Sequence, residues 1–300
     1  MVRGARPAPD VHIDVGLVHG LVAAQFPQWA GLQLRPVASA GWDNAIFRLG
    51  DHLLARLPCR RVSAAHVEDE YRWLSVHSPL LPLKAPVPLA LGRPGHGYPW
   101  PWTVCRWLRG TMAATASVND LDAAARSLAR FVASLQSIDP AGGRPHEFRG
   151  LSLAAHAGNA NDALAVLADR ADVSQLANLL EKTVSASNWT GQPVWTHGDL
   201  HPANLLIEGR ELSAVIDFGL LGVGDPACDL QVAWTYLTLR SREVFRSVLD
   251  VDEATWCRGQ GWALQFGLRA VAYSADNPVL DQIGRRTLAE IQTDLGQLRN

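Results

Sequence analysis

Two short segments of this chain carry polar side chains in an order suited to moving a phosphoryl group. One is His197-Gly198-Asp199-Leu200-His201-Pro202-Ala203-Asn204, and the other is Asp217-Phe218-Gly219. Phosphoryl transfer needs a carboxylate beside the attacking hydroxyl and hard oxygen donors for Mg²⁺. Asp199 can be that base, and Asn204 and Asp217 can be the oxygen donors. Either aspartate alone reads equally well as a turn residue, and a lone Asp-Phe-Gly arises by chance. The signal lies in order, spacing and setting.

The setting comes from the flanking residues. Gln192 to Thr196 reads as a strand entering the first segment, and Leu205-Leu206-Ile207 as a strand leaving it. Glu208-Gly209-Arg210-Glu211 reads as a hairpin turn, with Leu212 to Ile216 returning to end on Asp217. Such a hairpin brings Asn204 and Asp217 together. The protein-kinase template is His-x-Asp-Leu, three free positions, Asn, and later Asp-Phe-Gly. His197, Asp199, Leu200, Asn204, Asp217, Phe218 and Gly219 match it, with Gly198 where protein kinases have Arg. His197 and His201 are also spaced like a zinc pair on a helix. Gly198 and Pro202 oppose a helix there, and no third ligand stands at metal spacing. His197 reads as a structural histidine bracing the loop, and His201 as either a loop residue or a substrate contact.

Three hundred residues suggest two lobes. A net charge of −2 gives no support for nucleic-acid or membrane-surface binding. No apolar run follows the two arginines near the start, so residues 1–10 read as a disordered lead-in and not as a secretory signal. No uncharged apolar stretch of about 20 residues exists to span a bilayer. Cys59, Cys105, Cys228 and Cys257 are scattered, which fits thiols in a reducing cytoplasm better than a disulfide frame.

Residues 11–108 read as a small α+β lobe. Apolar spacing from Val11 to Trp29 predicts a helix ended near Pro27. Strands are expected over Leu32 to Val37, Ala45 to Leu49 and His52 to Leu57, with Gly50-Asp51 as a tight turn. The loop from Ala38 to Asn44 could cover phosphates with its backbone N–H groups, Ser39 and Asn44 being its candidate residues, although a plain hairpin connection explains a loop with one glycine as well. A helix from Ser63 to His77 carries Glu70, and strands follow over Val87 to Leu91 and Trp102 to Leu108. Residues 109–300 read as mainly helical apart from the hairpin. Helices are expected over Asp120 to Ile138, capped by Asn119 or Asp120, and over Ser152 to Ala168, Asp172 to Ser185, Asp229 to Arg240, Glu253 to Ser274 and Pro278 to Leu298. Of the eleven tryptophans, Trp234, Trp256 and Trp262 read as helix-packing anchors.

His197-Gly198-Asp199 with Asn204, then Ile216-Asp217-Phe218-Gly219 and Gly224-Asp225-Pro226-Ala227-Cys228-Asp229-Leu230, resembles the aminoglycoside phosphotransferase family of antibiotic and small-molecule kinases. The resemblance runs from about residue 30 to the end. It implies a bilobal, protein-kinase-like α+β fold: an antiparallel-sheet N-terminal lobe with one helix, and a larger, mainly helical C-terminal lobe. It implies Asp199 as catalytic base, Asn204 and Asp217 as Mg²⁺ ligands, and structural roles for Asp225 and Asp229. It places the interlobe hinge that holds the adenine at Trp102 to Leu108, with Cys105, Arg106 and Trp107 nearest. The family's third strand often carries a phosphate-gripping Lys paired with a Glu on the next helix. Here Arg56 aligns with that position and Glu70 with its partner, and a guanidinium is wider than an ammonium. The helix after Asp229 follows Asp217 too closely to leave a peptide-docking loop, which separates this chain from protein kinases.

The resemblance implies ATP, with GTP left open, and a small hydroxylated acceptor, foremost an antibiotic. A kinase of a hydroxylated metabolite and a nucleotide-binding pseudokinase are the rivals; the intact Asp199, Asn204 and Asp217 weigh against the latter. Aminoglycoside-modifying members have an acidic acceptor pocket, but residues 231–300 hold eight acidic and eight basic residues. That balance does not predict a site for a polycation. The aromatic and apolar residues from Trp256 to Tyr273 can line a pocket for a less charged acceptor or simply form core.

Overall fold

In the computed structural model of the chain, residues 8–37, 43–168 and 172–297 are described. The first helix, α1 (Val15–Gln25), is shorter than its apolar spacing predicts. Asp14 caps it by accepting from Leu17 N at 2.8 Å, and Pro27 opens a separate 3₁₀ turn, Pro27–Trp29. Strands β1 (Leu34–Val37), β2 (Asn44–Leu49) and β3 (Leu53–Pro58) follow. The expected turn joins β2 to β3, with Gly50 at φ 58°. The helix expected from Ser63 to His77 is broken into α2 (Arg61–Ala64) and α3 (Val67–His77), with Ala65 and His66 between them and His66 at φ −104°, ψ −5°. Then come β4 (Pro88–Gly92) and β5 (Trp102–Arg106), the latter stopping before the expected Leu108.

These strands make one antiparallel sheet in the order β1-β2-β3-β5-β4. Val18, Leu21 and Val22 of α1 pack with Phe47, Leu49, Ala55, Leu57, Trp102 and Val104 to form a small core. Gly92 lets that core close, since a Cβ there would stand 2.1 Å from the Trp102 ring.

The helical part is built on α4 (Leu121–Gln136), α5 (Ala157–Ala168), α6 (Ser174–Val184), α7 (Val232–Thr235), α8 (Leu239–Leu249), α9 (Glu253–Tyr273) and α10 (Pro278–Gln297). Asp120 caps α4, accepting from Ala123 N at 2.9 Å, while Asn119 instead accepts from Arg210 Nε. The single helix expected from Asp229 to Arg240 is three pieces: a 3₁₀ helix over Pro226–Gln231, then α7, then α8. The break falls where Thr238 and Ser241 form a capping box that starts α8 afresh. Two very short strand sites escape sequence patterning altogether, β6 (Thr111–Met112) and β10 (Gly222–Gly224).

The hairpin forms as predicted. Strand β8 (Leu205–Glu208) pairs with β9 (Glu211–Val215), turning through Gly209 at φ 58° and Arg210 at φ 67°. Two left-handed residues in succession match the twist of the flanking strands. β6 adds a third strand beside β8, and β7 (Val194–Thr196) pairs with β10. Leu128, Phe131, Val132 and Leu135 of α4, Phe218, Trp234 and Leu264 lie in one large core, and burying each contributes about 1.5–3 kcal/mol. Leu74 of α3, Leu83 and Ala85 belong to this larger core, not to the small one. Trp234 and Trp262 are buried as expected; Trp256 packs against Trp234 with the rings tilted at 45° and their centroids 4.7 Å apart.

Candidate active site

The segment from His197 to Asn204 leaves β7 and is pinned from several sides. Gly198 has φ 83°, and a Cβ there would lie 2.7 Å from the Leu220 carbonyl oxygen. Only glycine fits both constraints, which explains why arginine does not stand at this position. The fully buried Asp229 carboxylate accepts from His197 N at 2.7 Å and Gly198 N at 2.8 Å. Gln231 Nε2 donates to Leu200 O at 3.1 Å.

His197 is wholly buried and acts as a strut. Its Nδ1 accepts from Asp199 N at 3.1 Å, so Nε2 carries the proton and donates to Ile216 O at 3.0 Å. One imidazole thereby fixes the backbone of Asp199 against the residue preceding Asp217. Asn204 is brought to the same place by the hairpin, with Ile216 N donating to Asn204 O at 2.9 Å. The Asn204 amide donates to Asp199 O at 2.9 Å and to its Oδ2 at 3.2 Å. That leaves Asn204 Oδ1 as the atom available to a cation. Asp217 takes φ 63°, a left-handed conformation that costs about 1–2 kcal/mol outside glycine and turns its carboxylate off the strand. The zinc reading fails here: His197 spends both ring nitrogens on the backbone, and among the described residues no three His, Cys, Asp or Glu cluster as metal ligands.

Asp199, Asn204 and Asp217 face a cleft of about 690 Å³ between sheet and helices. On the sheet side, Arg56 of β3 reaches Glu70 of α3 and donates to Asp217 Oδ1 at 2.6 Å. The Asn44 amide oxygen, turned toward the guanidinium, accepts from Arg56 Nη2 at 2.9 Å. Burial opposes the charge on Arg56, but Glu70 and Asp217 outweigh it and raise its pKa. Ile46, Leu54, Pro86, Leu206 and Ile216 give an apolar slot, and Cys105, Arg106 and Trp107 line the same cleft. The Cys105 thiol is pushed up to about 12 by burial, so it packs without ionising. The Trp107 ring is covered by the Arg48 guanidinium at 4.1 Å, and its backbone N–H is spent on His52 O. Ser39 lies outside the described residues.

The helical side holds residues of the Trp256 to Tyr273 segment together with three that the sequence did not single out: Phe148, Arg149 and Arg269. Phe148 and Arg149 come from an irregular turn in which His146 Nδ1 accepts from Phe148 N and Arg149 N. Trp262, Phe266, Arg269 and Tyr273 recur at helical spacing along α9 and line the cleft, while Ala263, Leu264 and Leu268 of the same helix face the core. The Trp256 to Tyr273 segment is therefore both core and cleft wall. The only cue in sequence was its aromatic density; the 146–150 turn has no periodic signal.

Asp199 is the electrostatic focus. Burial would raise its pKa, but His201, Arg149 and His197 outweigh burial and hold the carboxyl well below the usual range. His201 Nδ1 accepts from Ala203 N, so Nε2–H points at Asp199 Oδ2 at 3.3 Å; Arg149 Nη2 approaches Oδ1 at 3.5 Å. The result is an ionised carboxylate with a fixed backbone, able to accept a proton from a hydroxyl in the cleft. Asp225 caps the 3₁₀ helix that leads to α7, and Arg258 Nε donates to it at 2.7 Å.

The profile of the phosphotransferase enzyme family matches residues 34–263. No curated protein matches the sequence significantly. Among solved structures, the GDP complex of aminoglycoside 2'-phosphotransferase-IIIa superposes with TM-score 0.66 at 17% identity, covering 92% of this chain and 98% of that one. The macrolide 2'-phosphotransferase MphH from Brachybacterium faecium gives TM-score 0.59 at 22% identity, covering 92% and 97%. The streptomycin–ATP complex of APH(2")-IIa gives 0.57 at 16%, covering 91% and 95%.

Proposed function

Since this chain belongs to the phosphotransferase enzyme family, we propose that it moves the γ-phosphoryl group of a nucleoside triphosphate onto a hydroxyl of a small molecule. The observation that carries this reading is the convergence of Asp199, Asn204, Asp217 and the Arg56–Glu70 pair on one cleft. ATP is the donor we assign, with GTP as the alternative arm of the test, since the similar structures hold GDP in one case and ATP in another.

Residues 11–108 serve as the nucleotide lobe and 109–300 as the catalytic and acceptor lobe. The base takes the slot lined by Ile46, Leu54 and Leu206, beside Cys105 and Trp107. Arg56, held by Glu70, reaches the phosphates with its fork, and Asn44 orients it. Asn204 Oδ1 and the Asp217 carboxylate are hard oxygen donors of the kind that would hold Mg²⁺. When bound, that ion neutralises phosphate charge. Asp199 accepts the hydroxyl proton as its oxygen attacks phosphorus in line, and its depressed pKa keeps it ionised throughout the physiological range. Catalysis is then mainly positioning and charge neutralisation.

The acceptor is a hydroxylated compound of antibiotic size, as in the similar structures, and no helix among the described residues is long and apolar enough to cross a membrane. Cytoplasm, where nucleoside triphosphates are plentiful, is the fitting compartment. The test is ADP and GDP release by purified protein with Mg²⁺ and hydroxylated acceptors, followed through to phosphorylated product. Asp199→Ala and Asp217→Ala are each expected to lower kcat by about 10³-fold or more with the fold intact by circular dichroism. Near-normal turnover by Asp217→Ala at saturating nucleotide and Mg²⁺ would sink the metal assignment. Nucleotide binding without transfer to any acceptor would mark a pseudokinase.

A further inference from the structure

The acceptor half of the cleft has a charge of the wrong sign for a polycation. Among its described lining residues, Asp199 is the one carboxylate, while Arg149 and Arg269 supply two guanidinium groups. Both stand over the Phe148 ring, with their central carbons 5.4 and 5.5 Å from its centroid. Asp217, on the other side, is already matched by Arg56.

Neither guanidinium has its hydrogen-bonding capacity spent on the protein, although Arg149 also lies over the Trp262 ring at 4.9 Å. Arg149 has a side chain only 8% exposed, makes one long contact with Asp199 at 3.5 Å, and leaves its buried Nε without a hydrogen-bond partner. Arg269 is exposed along the cleft wall, and no carboxylate pairs with it among the described residues. Partial desolvation, then repulsion from Arg149, lowers its pKa, with Asp199 and Tyr273 opposing. A buried, under-bonded guanidinium beside a second unpaired one is costly unless something negative arrives to share them. Surface arginines usually turn outward into water, but here α9 sets Arg269 on the same stripe as Trp262 and Tyr273.

We propose that the acceptor hydroxyl belongs to a molecule carrying its own anionic group, a carboxylate or phosphate, bound by Arg269 and Arg149 while an apolar or aromatic body lies against the half-buried Phe266 and Tyr273. This deepens the phosphotransferase reading above and rests on it. The step balances simply. The acceptor oxygen forms a bond to the γ-phosphorus and the β,γ-bridging P–O bond breaks. The proton passes to Asp199 and the nucleoside diphosphate leaves. Arg269 acts on where the acceptor sits, not on the bonds that change. Planar guanidinium forks match carboxylate or phosphate oxygens in pairs and reject ammonium groups outright.

The test uses the full chain with ATP and Mg²⁺ and three matched probes: 4-(hydroxymethyl)benzoate, its carboxamide and its aminomethyl analogue. Transfer is read as phosphorylated product, and binding by titration calorimetry with a non-hydrolysable ATP analogue present. The acid is expected to exceed the amide by about tenfold or more in kcat/KM and in affinity, with the amine weakest. Arg269→Gln should bring acid and amide within about threefold through KM, and Arg269→Lys should restore part of the gap. Equal or tighter binding of the amide or amine by the wild type overturns the proposal, as does an acid preference untouched in Arg269→Gln. The two readings fail separately. Acid-selective binding without ATP turnover, even with water as acceptor, breaks the enzyme assignment alone; turnover without acid preference breaks this one alone.

Discussion

Replacing Asp229 by alanine probes how the catalytic loop is held. Its carboxylate is fully buried and accepts from the backbone N–H groups of His197 at 2.7 Å and Gly198 at 2.8 Å. A hydrogen bond to a charged group contributes about 1.5–3 kcal/mol, so the gross loss for two is about 3–6 kcal/mol. Part of that is returned. Burial pushes the Asp229 pKa up, with His197 and the two amides opposing, so truncation also removes a desolvation cost. The net destabilisation is therefore set at the low end, about 3 kcal/mol. For a chain of this length each kcal/mol moves Tm by about 2 °C, giving a drop of about 6 °C by calorimetry. Asp229→Asn keeps one accepting oxygen and turns its NH₂ toward the second donor, so it should fall at least as far as halfway. Because Asp199 follows directly on the two anchored residues, kcat should drop more than about tenfold while nucleotide affinity, set on the sheet side, stays close to wild type. An Asp229→Ala protein with unchanged Tm and unchanged kcat would refute the idea that this carboxylate holds the loop.

Two further outcomes follow from the same geometry. Gly198→Ala places a methyl 2.7 Å from Leu220 O at φ 83°, and should cost about 2–4 kcal/mol in urea melts along with most activity; a neutral effect would mean that the loop relaxes freely. Acidification should destabilise the fold. His146 is buried and its pKa is lowered to about 4, first by burial and then by His66, whereas an unfolded histidine titrates near 6.5. Stability is therefore full above about pH 6.5 and is lost toward pH 4, as the unfolded chain binds a proton that the folded chain refuses, on the order of 3 kcal/mol for this residue. Urea melts at pH 7.5 and 5 should show the loss and His146→Gln should flatten it; a rise in stability on acidification would contradict the sign.

The catalytic hairpin was legible because its information is local. The turn residues, the alternating strands and the polar residues at both ends lie within 26 residues, from Gln192 to Asp217. The Arg56–Glu70 pairing was legible only through the family resemblance, which aligns Arg56 with a phosphate-gripping Lys and Glu70 with its partner; the structure places the two in contact. Helix ends were read less well, since capping decides them. Asp14 and Thr238 moved or split elements that apolar periodicity alone would have extended, whereas Asp120 caps its helix as one of the two residues expected to. Least visible were Phe148, Arg149 and Arg269. The first two depend on a turn fixed by one imidazole. The third depends on the rotation of α9 about its axis, which tertiary packing sets and composition does not.

The position of α3 has a mechanical consequence. Arg56 grows from a strand rooted in the small core, but both carboxylates it grips hang from the large one: Glu70 on a helix whose Leu74 is embedded there, and Asp217 at the end of the hairpin. The guanidinium is thus a clasp across the seam between two separately packed bodies. Sliding of the sheet over the helices by even one side-chain width would open the clasp before it disturbed either core. Alignment of the two halves and the position of the guanidinium proposed to grip phosphate are therefore a single variable, and a substitution far from the cleft that shifts α3 is expected to be felt first as weaker nucleotide binding.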